Sequence, residues 1–329
     1  MGIAVPFPST QPPGYTWLSN EPSFDPDRHL CLETPIRAVT LNDLGYDDAE
    51  TKTKATQAAA SEPFRVLSDE GAQVMLDIAR DLRQFSKRAG ERIENVVRGG
   101  VYRSRWLRDL CLSQDLSDHL ESFYQTPIAP HPMPLHLGHL NFEPSTISDA
   151  IDKWHNDTLP LDIVLMVTDP AQVDGGRFEY FVGTKQEAAD LAAQGQSPPP
   201  ERVIAPEFPG PGYAIALHGD MVVHRAGPLN SPGERISMVN GYVSLDTSVD
   251  EQSRSADLIA VDDPNALYTE WAKMVAWRSG SRLESLVKEL PFTGDKEQVM
   301  AALEKAVEDT NRAIAEMRAG EREISHFGG

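Results

Sequence analysis

The sequence predicts an α+β protein with a mainly β core, a two-sheet jelly roll with helices before and after it. Three observations point that way. Between residues 150 and 245 short apolar or alternating runs recur between Gly/Pro turns, the spacing of a sandwich or barrel. One of them, 163–168, is continuously apolar, as a strand covered on both faces would be. Outside this region apolar residues return at helical spacing. Val74, Ile78, Leu82 and Phe85 do so ahead of it, and the stretches 264–290 and 296–319 behind it.

In chain order, residues 1–62 read as an extended arm, because Pro6, Pro8, Pro12, Pro13, Pro22 and Pro26 forbid a long helix. Within the arm, 47–61 is polar and Ala-rich, either a short helix or a linker. Ser68-Asp69-Glu70 is an N-cap with first-turn acids, opening a helix that runs to about residue 89. Gly99-Gly100 ends that pattern; 101–106 is a strand or a strand-to-helix transition. Residues 107–124 form a helix with Leu107, Leu110, Cys111, Leu116, Leu120 and Phe123 on one side. The prolines of 125–134 require a loop or an edge, and 136–142 is a strand.

Asp174-Gly175-Gly176 is a turn leading into the alternation of Phe178, Tyr180 and Val182. The segment 185–205 is an insertion, half helix (186–193) and half Pro198-Pro199-Pro200; a surface loop is the simple reading and a lid the sharper one. The turn 209–212 precedes a strand at 213–217, and strands at 221–224 and 235–243 complete the set. Three regions follow: the arm 1–62, a β domain with its N-terminal helices at 63–250, and a helical extension at 251–329. The extension would pack on the core or on a second subunit, giving a homodimer.

Composition narrows the function. At 40% hydrophobic and 24% charged the chain is an ordinary soluble globule, and 329 residues can bury a sizeable core. Its formal charge of −20 opposes a nucleic-acid partner, while leaving room for one basic pocket that holds a small anion. Cys31 and Cys111 are no disulfide framework and read as buried reduced thiols. No run is long and apolar enough to span a membrane, and no signal pattern opens the chain, so the expected compartment is the cytoplasm.

The chemistry is concentrated between Trp154 and Tyr242. His155 and Asp157 sit at alternate positions, which on an extended strand share a face. With His224 they would put two imidazoles and one carboxylate on one side of a metal, the ligand set of non-heme Fe(II) oxygenases. Arg235 and Ser237, again at alternate positions, could together hold a carboxylate. Two similar patterns fail. His218-Gly219-Asp220 is a turn too close to His224 to come from an opposing strand, and His136 and His139 would leave a strand on opposite faces.

His155-x-Asp157, a distal His224 and Arg235-x-Ser237 in this order resemble the Fe(II)/2-oxoglutarate-dependent dioxygenase superfamily over roughly residues 101–245. The resemblance implies a double-stranded β-helix whose metal, Fe(II), is held by His155, Asp157 and His224. It also implies 2-oxoglutarate as co-substrate, gripped at its far carboxylate by Arg235 and Ser237, and O2 at the remaining position. Decarboxylation would yield succinate and CO2 while a small organic molecule is oxidised; an acidic chain with a few pocket arginines points to a carboxylated or amino-acid-like one. Because Asp157 keeps its carboxylate, hydroxylation, desaturation or oxidative cyclisation is implied rather than halogenation.

Taken singly, each histidine is more simply a core residue and Arg235 a surface ion pair with Glu234 or Asp220, worth about 0–1 kcal/mol. The ordered set outweighs that reading. Arg103, Arg105, Asn141 and Trp154 are weaker candidates for substrate contact, each with a structural role as the simpler explanation, and Arg225 should face away from the metal. Two rival readings remain: a cupin-like metal oxygenase working without 2-oxoglutarate, and a non-enzymatic jelly-roll binding module.

Overall fold

The computed structural model describes residues 4–147, 149–322 and 326–327. The first three residues of the arm, and 323–325 and 328–329 of the C-terminal extension, lie outside these. The arm does more than extend. After the single turn α1 (Pro26–His29) it supplies β1 (Arg37–Thr40), a short α2 (Asp48–Thr51) closed by an Asp47/Glu50 capping box, and β2 (Ala58–Ser61). The prolines stop helices but leave extended backbone free to pair. The Ala-rich stretch becomes a strand because all four residues of β2 are buried, and burial overrides local propensity.

A two-residue β3 (Phe64–Arg65) precedes α3 (Asp69–Leu82), where the Ser68 hydroxyl accepts from the Gly71 amide at 3.0 Å. The helix ends at Leu82, short of the predicted residue 89. A hairpin, β4 (Lys87–Ala89) and β5 (Ile93–Val97), turns at Gly90, whose φ of 56° suits glycine. The expected single helix over 107–124 is two, α4 (Arg105–Cys111) and α5 (Gln114–Tyr124), because Ser113 caps a second start through the Leu116 amide. Next come β6 (Ile128–Pro130), β7 (His139–Phe142), β8 (Ala150–His155), β9 (Leu161–Met166), β10 (Phe178–Phe181), α6 (Lys185–Ala193) and β11 (Val203–Ile204).

The strand β12 (Tyr213–Leu217) falls where predicted, between its turn and His218. Instead of a strand at 221–224, Met221 and Val222 close a turn on the His218 carbonyl, and β13 (His224–Pro228) begins at the histidine. Last are β14 (Ile236–Ser244), α7 (Ser255–Val261), α8 (Pro264–Glu289) and α9 (Lys296–Ala319).

The strands form two antiparallel sheets. The larger runs β1-β2-β12-β9-β14-β7-β5-β4, with β3 on β12 and β6 on β14; the smaller is β11-β10-β13-β8. Alternation sorts the side chains of the large sheet. Leu161, Ile163 and Leu165 of β9, Ile236 and Met238 of β14, and Leu140 and Phe142 of β7 pack against α3, α4 and α5. Val164, Met166 and Val239 face the other way, onto Phe178 and Tyr180 of the small sheet. Arg235 and Ser237 are in phase with Val239, and His139 and Asn141 alternate with Leu140 and Phe142. The polar residues of both strands therefore point into the space between the sheets.

The C-terminal helices pack on their own chain. Leu267, Trp271 and Met274 of α8 cover Met133 and Leu135, and Arg278 pairs with Asp309 of α9 at 2.8 Å. Among the described residues, no helix is long and apolar enough to cross a membrane. Cys111 is buried, while Cys31 is only partly so.

Candidate metal centre

His155 and His224 are brought together by direct pairing of neighbouring strands. β8 and β13 are hydrogen-bonded with His224 opposite His155, and the two rings lie 4.2 Å apart. The register then slips: Ala226 faces Asp152, so β8 carries one extra residue there. This bulge puts Asp152 and His155 on the cavity side together. Trp154 turns outward to pack on Phe181, Ala188 and Val223, with the Arg225 guanidinium 4.7 Å above its ring. Arg225, as expected, leads away, to Glu179 at 2.6 Å.

Asp157 is not on a strand, contrary to the reading that let it share a strand face with His155. β8 ends at His155, and Asp157 is held in the following turn by its amide, which donates to the Gly219 carbonyl at 2.8 Å. The result is still convergence. Asp157 Oδ1 is 3.4 Å from His155 Nε2, Oδ2 is 3.5 Å from His224 Nε2, and the potential ligand atoms of all three lie within 4.8 Å of one another.

The tautomers suit a metal. His155 Nδ1–H donates to the Lys153 carbonyl at 2.6 Å and His224 Nδ1–H to the Val222 carbonyl at 3.0 Å. Each Nε2 is thereby left with its lone pair toward the carboxylate, the orientation outer hydrogen bonds impose on metal-binding histidines. Burial, with His155 alongside, lowers His224 to about 4, so its ring is neutral at pH 7. Burial alone would raise the Asp157 carboxyl. In the acid range where the carboxyl would titrate, the two imidazoles once protonated, together with Arg92 3.5 Å away, hold it well below the usual range instead.

A short distance along the same cavity sits Arg235, only 2% exposed. Its Nε donates to the Gly176 carbonyl at 3.1 Å and Nη1 to the Ser237 hydroxyl at 2.7 Å. Glu234, the expected surface partner, binds Arg80 instead, and Arg235 makes no ion pair among the described residues. Burial lowers it to about 10, still charged at pH 7. A buried cation without a counter-ion is costly, so this one is prepared for an anion. Arg235 also borders an outer cavity of about 300 Å³ beside Phe178 and Phe208, giving such an anion room.

Asn141, paired with Ser237 across the strands, lines the same cavity, and its buried Oδ1 has no partner among the described residues. Arg103 and Arg105 are elsewhere. The first stacks between Tyr15 and Phe85, and the second lies over Trp17 near Glu21.

Two residues escaped the sequence reading, Arg92, bidentate to Asp152 at 2.6 and 3.0 Å, and Asp152 itself; His139 was set aside with His136 but lines the cavity, because the strand begins only at His139. Gly90 could have signalled the hairpin that carries Arg92, but nothing in the sequence marks the bulge. The rejected His218-Gly219-Asp220 turn contributes backbone to Asp157, while its side chains pair with each other at 2.8 Å and with Lys54 at 2.9 Å.

No family model and no curated protein matches the sequence. Among solved structures the chain is similar to the non-heme alpha ketoglutarate dependent carbocyclase SnoK from nogalamycin biosynthesis, at 18% identity over 63% of this chain and 87% of that one, TM-score 0.44. It is similar to AviO1 from Streptomyces viridochromogenes Tue57, at 18% over 66% and 97%, TM-score 0.43. It is also similar to EctD from S. alaskensis with bound Fe, at 15% over 56% and 72%, TM-score 0.40. At these TM-scores the function has to be argued from the site itself.

Proposed function

We propose that this chain is a non-heme Fe(II)- and 2-oxoglutarate-dependent oxygenase of a small organic molecule, and that its two sheets are a double-stranded β-helix. One observation carries the reading. Two imidazoles with their Nδ1 atoms tied to carbonyls converge with an ionised carboxylate, in a cavity that also holds a buried arginine making no ion pair among the described residues. His155, Asp157 and His224 would hold the iron. Arg235 would take the far carboxylate of 2-oxoglutarate, with Ser237 fixing its guanidinium and adding a hydroxyl. That arginine favours this reading over a metal oxygenase without the co-substrate, since it has no other evident use for its charge.

The chemistry supplied by bound iron, 2-oxoglutarate and O2 is oxidative decarboxylation to succinate and CO2, coupled to oxidation of a second molecule. The chain's own residues prepare for it. Arg92 clamps Asp152 and, with the imidazoles, keeps Asp157 ionised. Phe178, 5.5 Å from the His224 ring, covers that ligand with an apolar surface that keeps water off it. Asn141 presents an unused polar group in the same cavity.

The test is anaerobic addition of Fe(II) and 2-oxoglutarate, followed by visible absorption. A charge-transfer band is expected with the native chain and not with Asp157→Ala. With Arg235→Ala it should need far more co-substrate. A native chain that binds Fe(II) but gives no band at any 2-oxoglutarate concentration would sink the proposal.

A further inference from the structure

A second hollow, of about 80 Å³, is also lined by Asp157 but not by Arg235. Its apolar wall is the β4–β5 hairpin (Ile93, Val96) facing α7 (Leu258, Val261), so the C-terminal extension closes it. Asp157, Arg92 and His139 belong to both hollows. Arg98, just after β5, reaches across to Asp262, just after α7, with two hydrogen bonds of 2.9 and 2.7 Å.

Most of the charge here is already matched. Asp152 is held by Arg92, Asp262 by Arg98 and Asp257 by Arg254. That leaves Asp157 and Arg235, one negative and one positive. If the proposed function holds, the two positive charges of the metal meet the two negative charges of 2-oxoglutarate, and the loaded site is neutral. A charged molecule in the second hollow would then be buried without compensation.

Two donors are left over among the groups lining both hollows. Arg98 can only donate, so His139 Nδ1, 3.3 Å from Arg98 Nη1, accepts, and the proton of the neutral ring sits on Nε2. Arg92 spends Nε and Nη2 on Asp152, and its Nη1 makes no hydrogen bond among the described residues.

We infer that this α7-walled hollow is the substrate chamber, and that it takes a small, uncharged, largely apolar molecule with one acceptor oxygen, a ketone, ether or alcohol, held by Arg92 Nη1 and His139 Nε2. The inference rests on the proposed function for the charge balance and goes beyond it in naming the class of substrate. It also replaces the expectation of an amino-acid-like molecule drawn from the sequence.

The test uses the full chain with Fe(II) and 2-oxoglutarate under anaerobic conditions and three probes on one skeleton: cyclohexanone, cyclohexanecarboxylate and cyclohexylammonium. Binding is read by ligand-observed NMR. Cyclohexanone should bind at least ten-fold more tightly than either ion and lose that binding in Leu258→Trp and in Val261→Phe, two independent ways of filling the chamber. The absorption band of the metal side should persist in both variants. Equal or tighter binding of either ion, no binding of cyclohexanone, or cyclohexanone binding unchanged in both filled variants would each overturn the chamber. A missing band in the native chain would instead count against the oxygenase reading.

Discussion

The side chains that matter most are held by backbone groups, and this decides which substitutions should be tolerated. Asp157 stands where it does because the Gly219 carbonyl takes its amide. A β-carbon on Gly219 would lie 2.2 Å from Asp162 Oδ2 and 2.6 Å from the Leu159 carbonyl. Gly219→Ala must therefore push the turn away and carry Asp157 with it. We expect a stability loss of about 1–3 kcal/mol and a fall in Fe(II) affinity, read by thermal unfolding and by metal titration. Native metal affinity in this variant would show that the turn does not position the carboxylate.

For Arg235 the sequence pattern was legible, since alternation with Ser237 put both on one face. That its guanidinium forms no ion pair among the described residues was not legible, because Glu234 is adjacent in sequence yet bonds to Arg80. Ser237→Ala removes one hydrogen bond to the guanidinium, worth about 1 kcal/mol. The 2-oxoglutarate requirement should rise several-fold with little change in the maximal rate, as steady-state kinetics would show.

At the level of elements, what could be read depended on where each signal came from. β12, α8 and α9 were placed closely because Gly/Pro turns or caps bound them in the sequence itself. β2 was missed because tertiary burial decides its state, β1 because only its pairing with β2 makes it a strand, and the slip in β8 shows only in its pairing with β13. The β4–β5 hairpin is tied to α7 by Arg98 and Asp262, with side chains 10% and 0% exposed. Arg98→Met leaves Asp262 buried and unpaired, and should cost about 3–5 kcal/mol. Adding Asp262→Leu should recover most of that loss. Chemical denaturation of both variants tests this, and an Arg98→Met chain of native stability would mean the pair does not hold these elements together.

Across the whole molecule, the C-terminal extension is joined to the β domain by a titrating contact. Glu270 of α8 accepts from the Tyr102 hydroxyl at 2.7 Å and the Leu135 amide at 2.9 Å, yet burial raises its carboxyl to about 7. Below the ordinary value of 4.5 it is protonated whether folded or not. Between 4.5 and 7 the unfolded chain gives up the proton and the folded chain keeps it, so stability falls as pH rises through that window and levels off above it. The full effect is on the order of 3 kcal/mol. Glu270→Gln should remove this slope, and denaturation midpoints at pH 5 and pH 8 would then differ less than in the native chain. An unchanged pH dependence would rule out Glu270 as its source.

The Asp157, Arg92 and His139 side chains form a party wall between two rooms. Where a tenant on one side shifts these furnishings, thermodynamic reciprocity makes the pressure equal in both directions. On the proposed function, any help or hindrance that a keto acid gives its neighbour would be returned to it in equal measure.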